Sequence, residues 1–198
     1  MRTADKFTLA RMIFAPIFFV LYSLSRFFAG KNDIVSLCIL IFLIVALIFA
    51  ELTDFWDGYY ARKLGEVSDT GKLFDPFADA LLHITTFFCF TRTGLMPPVT
   101  FILIFWREFS QMFLRMMSIK GGFAVAARGG GKLKTVIYIT AGFYALAIEL
   151  AWKIGLFAET LAWPRISAAV LFYICVVLSY VSFVDYLILF KSKLLNKG

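Results

Sequence analysis

Four aspartates fall in two pairs within strongly apolar sequence: Asp54 and Asp57, then Asp75 and Asp79. A single charge at the bilayer centre costs at least about 2.5 kcal/mol, so four of one sign require compensation. If residues 51–63 continue the preceding apolar run as a helix, Asp54, Asp57, Gly58 and Ala61 share one stripe. A second helix starting near Gly71 puts that glycine, Asp75 and Asp79 on a common face, one turn apart. The polar segment 63–70 between them holds Gly65, Ser68 and Asp69 and reads as a turn between antiparallel helices. Asp54 and Asp79 then lie at similar distances from that turn, about 12–14 Å, and all four carboxylates can meet at one depth.

Two divalent cations would cancel the charge of four carboxylates. Oxygen-only ligands suit hard ions such as Mg²⁺ or Mn²⁺. A pair of such ions clamps the attacking and leaving oxygens of an in-line phosphoryl displacement. Gly58, Ala61 and Gly71 lack bulk where a ligand would approach, and Arg62 adds a planar fork suited to phosphate. The plainer alternative makes these aspartates helix caps and surface charges, but caps do not require pairs three and four apart on both sides of a turn.

A second set of candidates follows at Arg107, Glu108, Arg115, Gly121-Gly122 and the run Ala126 to Thr135, which contains Lys132 and Lys134. Read functionally, Arg107, Arg115, Lys132 and Lys134 form a basic pocket that receives a phosphorylated acceptor. Read structurally, Arg107 and Glu108 are an ion pair, although adjacent helical residues do not face each other. Lys132 and Lys134 are then ordinary cytoplasmic loop charge. The glycine run is not a Walker A loop, because Leu133 follows Gly131-Lys132 where Ser or Thr is needed. His83, the only histidine, lies one turn past Asp79. It either orients that carboxylate or a substrate, or is a satisfied buried polar group.

The elements that must carry these groups are membrane spans. With 198 residues, 61% hydrophobic content and a mean hydropathy of +0.84, the chain reads as a single-domain (1–198), all-α, polytopic membrane protein. An amphipathic lead-in around residues 3–11 precedes a first span ending near Phe28. Further spans are expected at Ile34 to about Phe55, Leu73–Phe90, Leu95 to about Met117, Val136–Leu156 and Ala168–Phe190, six transmembrane helices in all. Glu149 and Asp185 are the isolated acids of the last two. Cys38, Cys89 and Cys175 suggest neither a disulfide framework nor a zinc site. Fourteen of the Lys and Arg residues fall on the side of the termini, against Arg26, Lys31, Arg92, Lys153 and Arg165 on the other. Both termini and the aspartate turn are therefore expected in the cytoplasm. A net charge of +7 points to anionic membrane surface or phosphate-bearing substrates, and not to nucleic acid, because the cations flank helices instead of forming one arm.

The pattern Asp-x2-Asp-Gly-x2-Ala-Arg-x8-Gly-x3-Asp-x3-Asp, complete from Asp54 to Asp79, resembles the signature of the CDP-alcohol phosphotransferases. These are integral membrane enzymes that displace CMP from a CDP-linked substrate in phospholipid synthesis. Residues Gly71 to Leu82, the start Phe7-Thr8-Leu9-Ala10-Arg11 with Pro16, and Arg107-Glu108 through Gly-Lys132-Leu-Lys134-Thr135 are similar to the phosphatidylglycerophosphate synthase branch. That branch commonly has Lys at the position of Ala80 and Gln at that of Tyr138, departures that bear on the acceptor more than on the reaction. The resemblance implies that Asp54, Asp57, Asp75 and Asp79 hold two divalent cations, Mg²⁺ or Mn²⁺. It places Thr8, Asp57, Gly58, Ala61, Arg62 and Gly71 at the CDP site, and makes Asp79 the catalytic base. It further implies transfer of a phosphatidyl group from CDP-diacylglycerol to glycerol 3-phosphate, in a homodimer of the bacterial cell membrane with the active site facing the cytoplasm. Inositol phosphate or phosphatidylglycerol as acceptor are the alternatives within the family. A membrane cation carrier is the alternative outside it, although carriers usually repeat such an element in two halves and this chain has one.

Overall fold

The computed structural model describes the backbone of residues 3–64, 71–122 and 129–195 and the side chains of 7–53, 74–122 and 131–195. Among the described residues there are six helices and no strand: α1 (Thr3–Phe28), α2 (Asp33–Leu64), α3 (Gly71–Thr93), α4 (Pro98–Lys120), α5 (Gly129–Lys153) and α6 (Ala162–Leu195). Four contain stretches long and apolar enough to cross a bilayer: Phe7–Phe28, Asp33–Thr53, Gly131–Lys153 and Ala162–Leu195. The other two, α3 and α4, have 23 residues each and so span about 34 Å, enough in length. They miss the apolar requirement because they carry Asp75, Asp79, His83 and Arg92, or Arg107, Glu108 and Arg115. The expected six spans are thus six helices, of which four qualify by composition and two, α3 and α4, are more heavily charged. The protein is an all-α integral membrane protein.

Several boundaries differ from those expected. The N-terminal lead-in is not a separate element, since α1 runs unbroken from Thr3 through Pro16 to Phe28. Helix α2 continues to Leu64, so the segment read as a turn loses its first two residues to the helix. Residues 65–70 lie outside the described residues. Helix α5 begins at Gly129, well before the expected Val136. Its three leading glycines occupy the first turn, where the backbone N–H groups have no intrahelical partner and poor helix formers cost least.

Packing explains how charge survives here. Helix α1 lies against both α2 and α3, α6 against α4 and α5, and α5 also meets α2 and α3. Among the described residues α1 and α5 each contact both α2 and α3, and His83 of α3 comes within 3.9 Å of Glu51 of α2; the approach expected beside the turn lies outside the described side chains. The core is built from Phe18 and Tyr22 of α1, Leu40 and Leu43 of α2, Phe87 and Phe90 of α3, Ile104, Tyr138 and Phe172, all essentially inaccessible. Phe87 is edge-on to Tyr138 at 5.3 Å and to Phe172 at 5.2 Å, a geometry favoured by the ring quadrupoles. Outward faces carry exposed Phe42, Phe49, Val177 and Val181, which suit lipid and would be a liability in water. At one end, short connections turn at Gly30, Gly94 and Gly155 with φ between 72° and 76°, the left-handed region open to glycine. The opposite end therefore gathers the start of α1, α3 and α5 and the close of α2, α4 and α6.

Candidate active site

Helix α3 presents Asp75 and Asp79 one turn apart, with side chains 48% and 36% exposed. Helix α1 meets them with matched spacing: Thr8 Oγ1 donates to Asp75 Oδ1, and Arg11 Nη1 donates to Asp79 Oδ1. The second guanidinium nitrogen of Arg11 is 3.9 Å from Asp75 Oδ1. Arg11 is 5% exposed, a cation buried between helices because two carboxylates face it. The sequence placed Arg11 among the cytoplasmic charges and in the resembled N-terminal motif, with no partner assigned to it. The available signal was its spacing from Thr8, three residues on one helix face.

Asp75 and Asp79 offer the oxygen donors that hard divalent cations take, so the described half of the acidic set fits such ions chemically. Among the described residues no three metal-ligating side chains come together. Asp54, Asp57, Gly58, Ala61 and Arg62 belong to the last three turns of α2 and Gly71 opens α3. Their side-chain arrangement lies outside the described residues, as does Arg128.

His83 follows Asp79 by one turn, yet it bonds that residue's main chain: Nδ1 is 2.8 Å from Asp79 O. A carbonyl only accepts, so Nδ1 carries the proton. Nε2 is directed toward Glu51 of α2, 3.9 Å away.

Beside Asp79 opens a cavity of about 190 Å³ between α3, α4, α5 and α6. Arg107, Arg115 and Lys134 line it, together with Asp79, Glu108 and Gln111. Lys132 is exposed and is not among the lining residues. The ion pair left open by the sequence does form: Arg107 Nη1 lies 2.7 Å from Glu108 Oε1, and Lys134 Nζ reaches the same oxygen at 2.7 Å. Adjacent residues on α4 meet because both side chains are long and bend into one buried space. Arg107 Nε also donates to the Ser179 carbonyl at 3.1 Å, tying α4 to α6. Glu108, 4% exposed, thus holds two cations in place while cancelling only part of their charge. Lys134 also lies 4.6 Å above the Tyr138 ring.

Both departures from the resembled branch, Ala80 and Tyr138, line this cavity, as do Ser182, Asp185 and Tyr186 of α6. Sequence reasoning left Gln111, Asp185 and Tyr186 unassigned. Only the spacing of Gln111, four residues from both Arg107 and Arg115, could have pointed to it.

An acidic pair meets a buried cationic cavity at one end of a membrane helical bundle. Such a site suits transfer of a phosphate-linked group to a small anionic acceptor. Residues 1–181 match the family model described as CDP-alcohol phosphatidyltransferase, and the chain belongs to that family. It is 37% identical over 192 residues to the CDP-diacylglycerol–glycerol-3-phosphate 3-phosphatidyltransferase of Treponema pallidum (strain Nichols), covering 94% of this chain and 88% of the relative. The enzyme of the same name from Bacillus subtilis (strain 168) is 34% identical, covering 82% of this chain and 86% of that one. The one from Aquifex aeolicus (strain VF5) is 27% identical, covering 94% of both.

Proposed function

We propose that this protein transfers a phosphatidyl group from CDP-diacylglycerol to glycerol 3-phosphate, giving phosphatidylglycerophosphate and CMP. The observation that carries the reading is the cavity walled by Asp79 on one side and by Arg107, Arg115 and Lys134 on the other. At about 190 Å³ it is smaller than drug-sized pockets of roughly 300–1,000 Å³. That size favours a small phosphorylated alcohol over phosphatidylglycerol, whose acyl chains need more room.

In this reading the acceptor phosphate is held by the three cations: the guanidinium forks of Arg107 and Arg115 suit bidentate contact with its oxygens, and the Lys134 ammonium adds a point charge. The acceptor hydroxyl then points to Asp79, which takes its proton. The hydroxyl oxygen bonds to the β-phosphorus of the diphosphate as the bond to the bridging oxygen breaks, and that oxygen leaves with CMP. Asp54, Asp57, Asp75 and Asp79 would hold two divalent cations, which when bound supply charge neutralisation at the diphosphate. Asp79 gains catalytic value from its position within reach of the hydroxyl, since a carboxylate near cations is a weak base. Thr8 and Arg11 fix the rotamers of the α3 carboxylates from the neighbouring helix. Thr8, Asp57, Gly58, Ala61, Arg62 and Gly71 receive the CDP moiety. The positive-inside bias supports a cytoplasmic position for this end of the bundle and for both termini, the side on which a phosphorylated acceptor is found. A homodimer in the cell membrane is the assembly proposed.

Purified protein is incubated with CDP-diacylglycerol, a divalent cation and a panel of alcohols, and CMP release is followed. Release with glycerol 3-phosphate, far above that with inositol phosphate or phosphatidylglycerol, is expected. Preference for either of those two would replace the acceptor assigned here. Divalent-cation flux into vesicles without CMP release would instead make the protein a carrier.

A further inference from the structure

Arg107, Gln111 and Arg115 occupy one stripe of α4 at intervals of four residues, and all three line the cavity. The two arginines can only donate. Gln111 is 6% exposed, and its Oε1 is buried with no hydrogen-bond partner in the protein. A buried carbonyl oxygen left unpaired forfeits its whole hydration, and a small turn of the Gln111 amide toward the cavity it lines would let a donor on a bound ligand satisfy it. Phosphate oxygens cannot be that partner, because they accept and do not donate. A hydroxyl can.

We infer that Gln111 binds the hydroxyl of the acceptor that does not react, and so reads the acceptor as a polyol phosphate. This rests on the transfer reaction proposed above and deepens it. The acceptor is then fixed at three points: its phosphate by the cations, its attacking hydroxyl by Asp79 and its second hydroxyl by Gln111. A site built to bond a hydroxyl rejects the analogue lacking it, because its own polar group is then stranded.

The test uses full-length protein in detergent and compares glycerol 3-phosphate with 3-hydroxypropyl phosphate, which lacks the secondary hydroxyl. The wild-type enzyme is expected to favour glycerol 3-phosphate by about tenfold or more in kcat/KM. Gln111→Met should bring that preference within about twofold, by loss of activity toward glycerol 3-phosphate, with the KM for CDP-diacylglycerol unchanged. Gln111→Glu keeps an accepting oxygen and adds charge beside the phosphate, so it should retain the preference at lower affinity. An unchanged preference in Gln111→Met overturns the inference. Equal use of both acceptors by the wild type also overturns it, and that comparison suffices should neither variant be recovered folded. CMP release with neither acceptor, but with another alcohol, defeats the underlying acceptor assignment, a result readily told apart from the others.

Discussion

Lys132 and Lys134 are two residues apart and identical in type, yet the helix separates their surroundings. Lys134 bonds Glu108 at 2.7 Å and faces the cavity, whereas Lys132 is exposed. Lys134→Met should raise the KM for glycerol 3-phosphate by roughly tenfold or more, the scale of one lost charged hydrogen bond, with little change for CDP-diacylglycerol. Lys132→Met should leave both constants within about twofold, the behaviour of an exposed charge. Steady-state CMP release at varied acceptor and donor checks the pair. Equal losses in the two variants would show that loop charge, and not cavity contact, governs acceptor binding. The sequence could nominate both lysines but not divide them, because the glycines before Lys132 read as loop. Once α5 starts at Gly129, helical phase decides which lysine turns inward.

At the scale of elements, the apolar runs made all six helices legible, and the acidic spacing put the candidate carboxylates at the close of α2 and the start of α3. Contacts made across long stretches of sequence were not legible, because they leave no local pattern. Thr8 and Arg11 reach α3 from 67 and 68 residues away. Tyr22 of α1 likewise donates to Glu149 of α5 across 127 residues. Glu149, at first only an isolated acid in a span, is 1% exposed, and Tyr22 is wholly buried. Nearby, Ser25 and Ser36 exchange hydrogen bonds to each other's carbonyl groups at 2.9 and 2.6 Å, holding α1 against α2. This polar belt lies at the end of the bundle away from the cavity. Tyr22→Phe strands the buried carboxyl of Glu149 and should cost about 1–3 kcal/mol of stability. A lower Tm in detergent, with the acceptor KM unchanged, is the expected outcome. An unaltered Tm would mean that this bond contributes nothing to holding α1 on α5.

The whole molecule places charge where two helices can shelter it. Four helices are apolar enough to face lipid, while α3 and α4 carry the densest charge, Asp75 and Asp79 on one and Arg107, Glu108 and Arg115 on the other. Those two are flanked by α1, α5 and α6, so their charged faces turn toward protein and the cavity, the arrangement that intramembrane charges require. Alternating helix direction then brings Thr8, Arg11, Asp75, Asp79, Arg107 and Lys134 to one end. In the function proposed, the acids would form the cation-binding, proton-accepting side, and Arg107, Arg115 and Lys134 the side that holds the acceptor.

The most direct test follows CMP release from CDP-diacylglycerol by purified wild-type protein and by Asp79→Asn, each with and without a divalent cation. The wild type should turn over only with the cation, and Asp79→Asn should release no CMP while remaining folded in detergent. Wild-type turnover by Asp79→Asn, or release that persists after the divalent cation is chelated, would contradict the account.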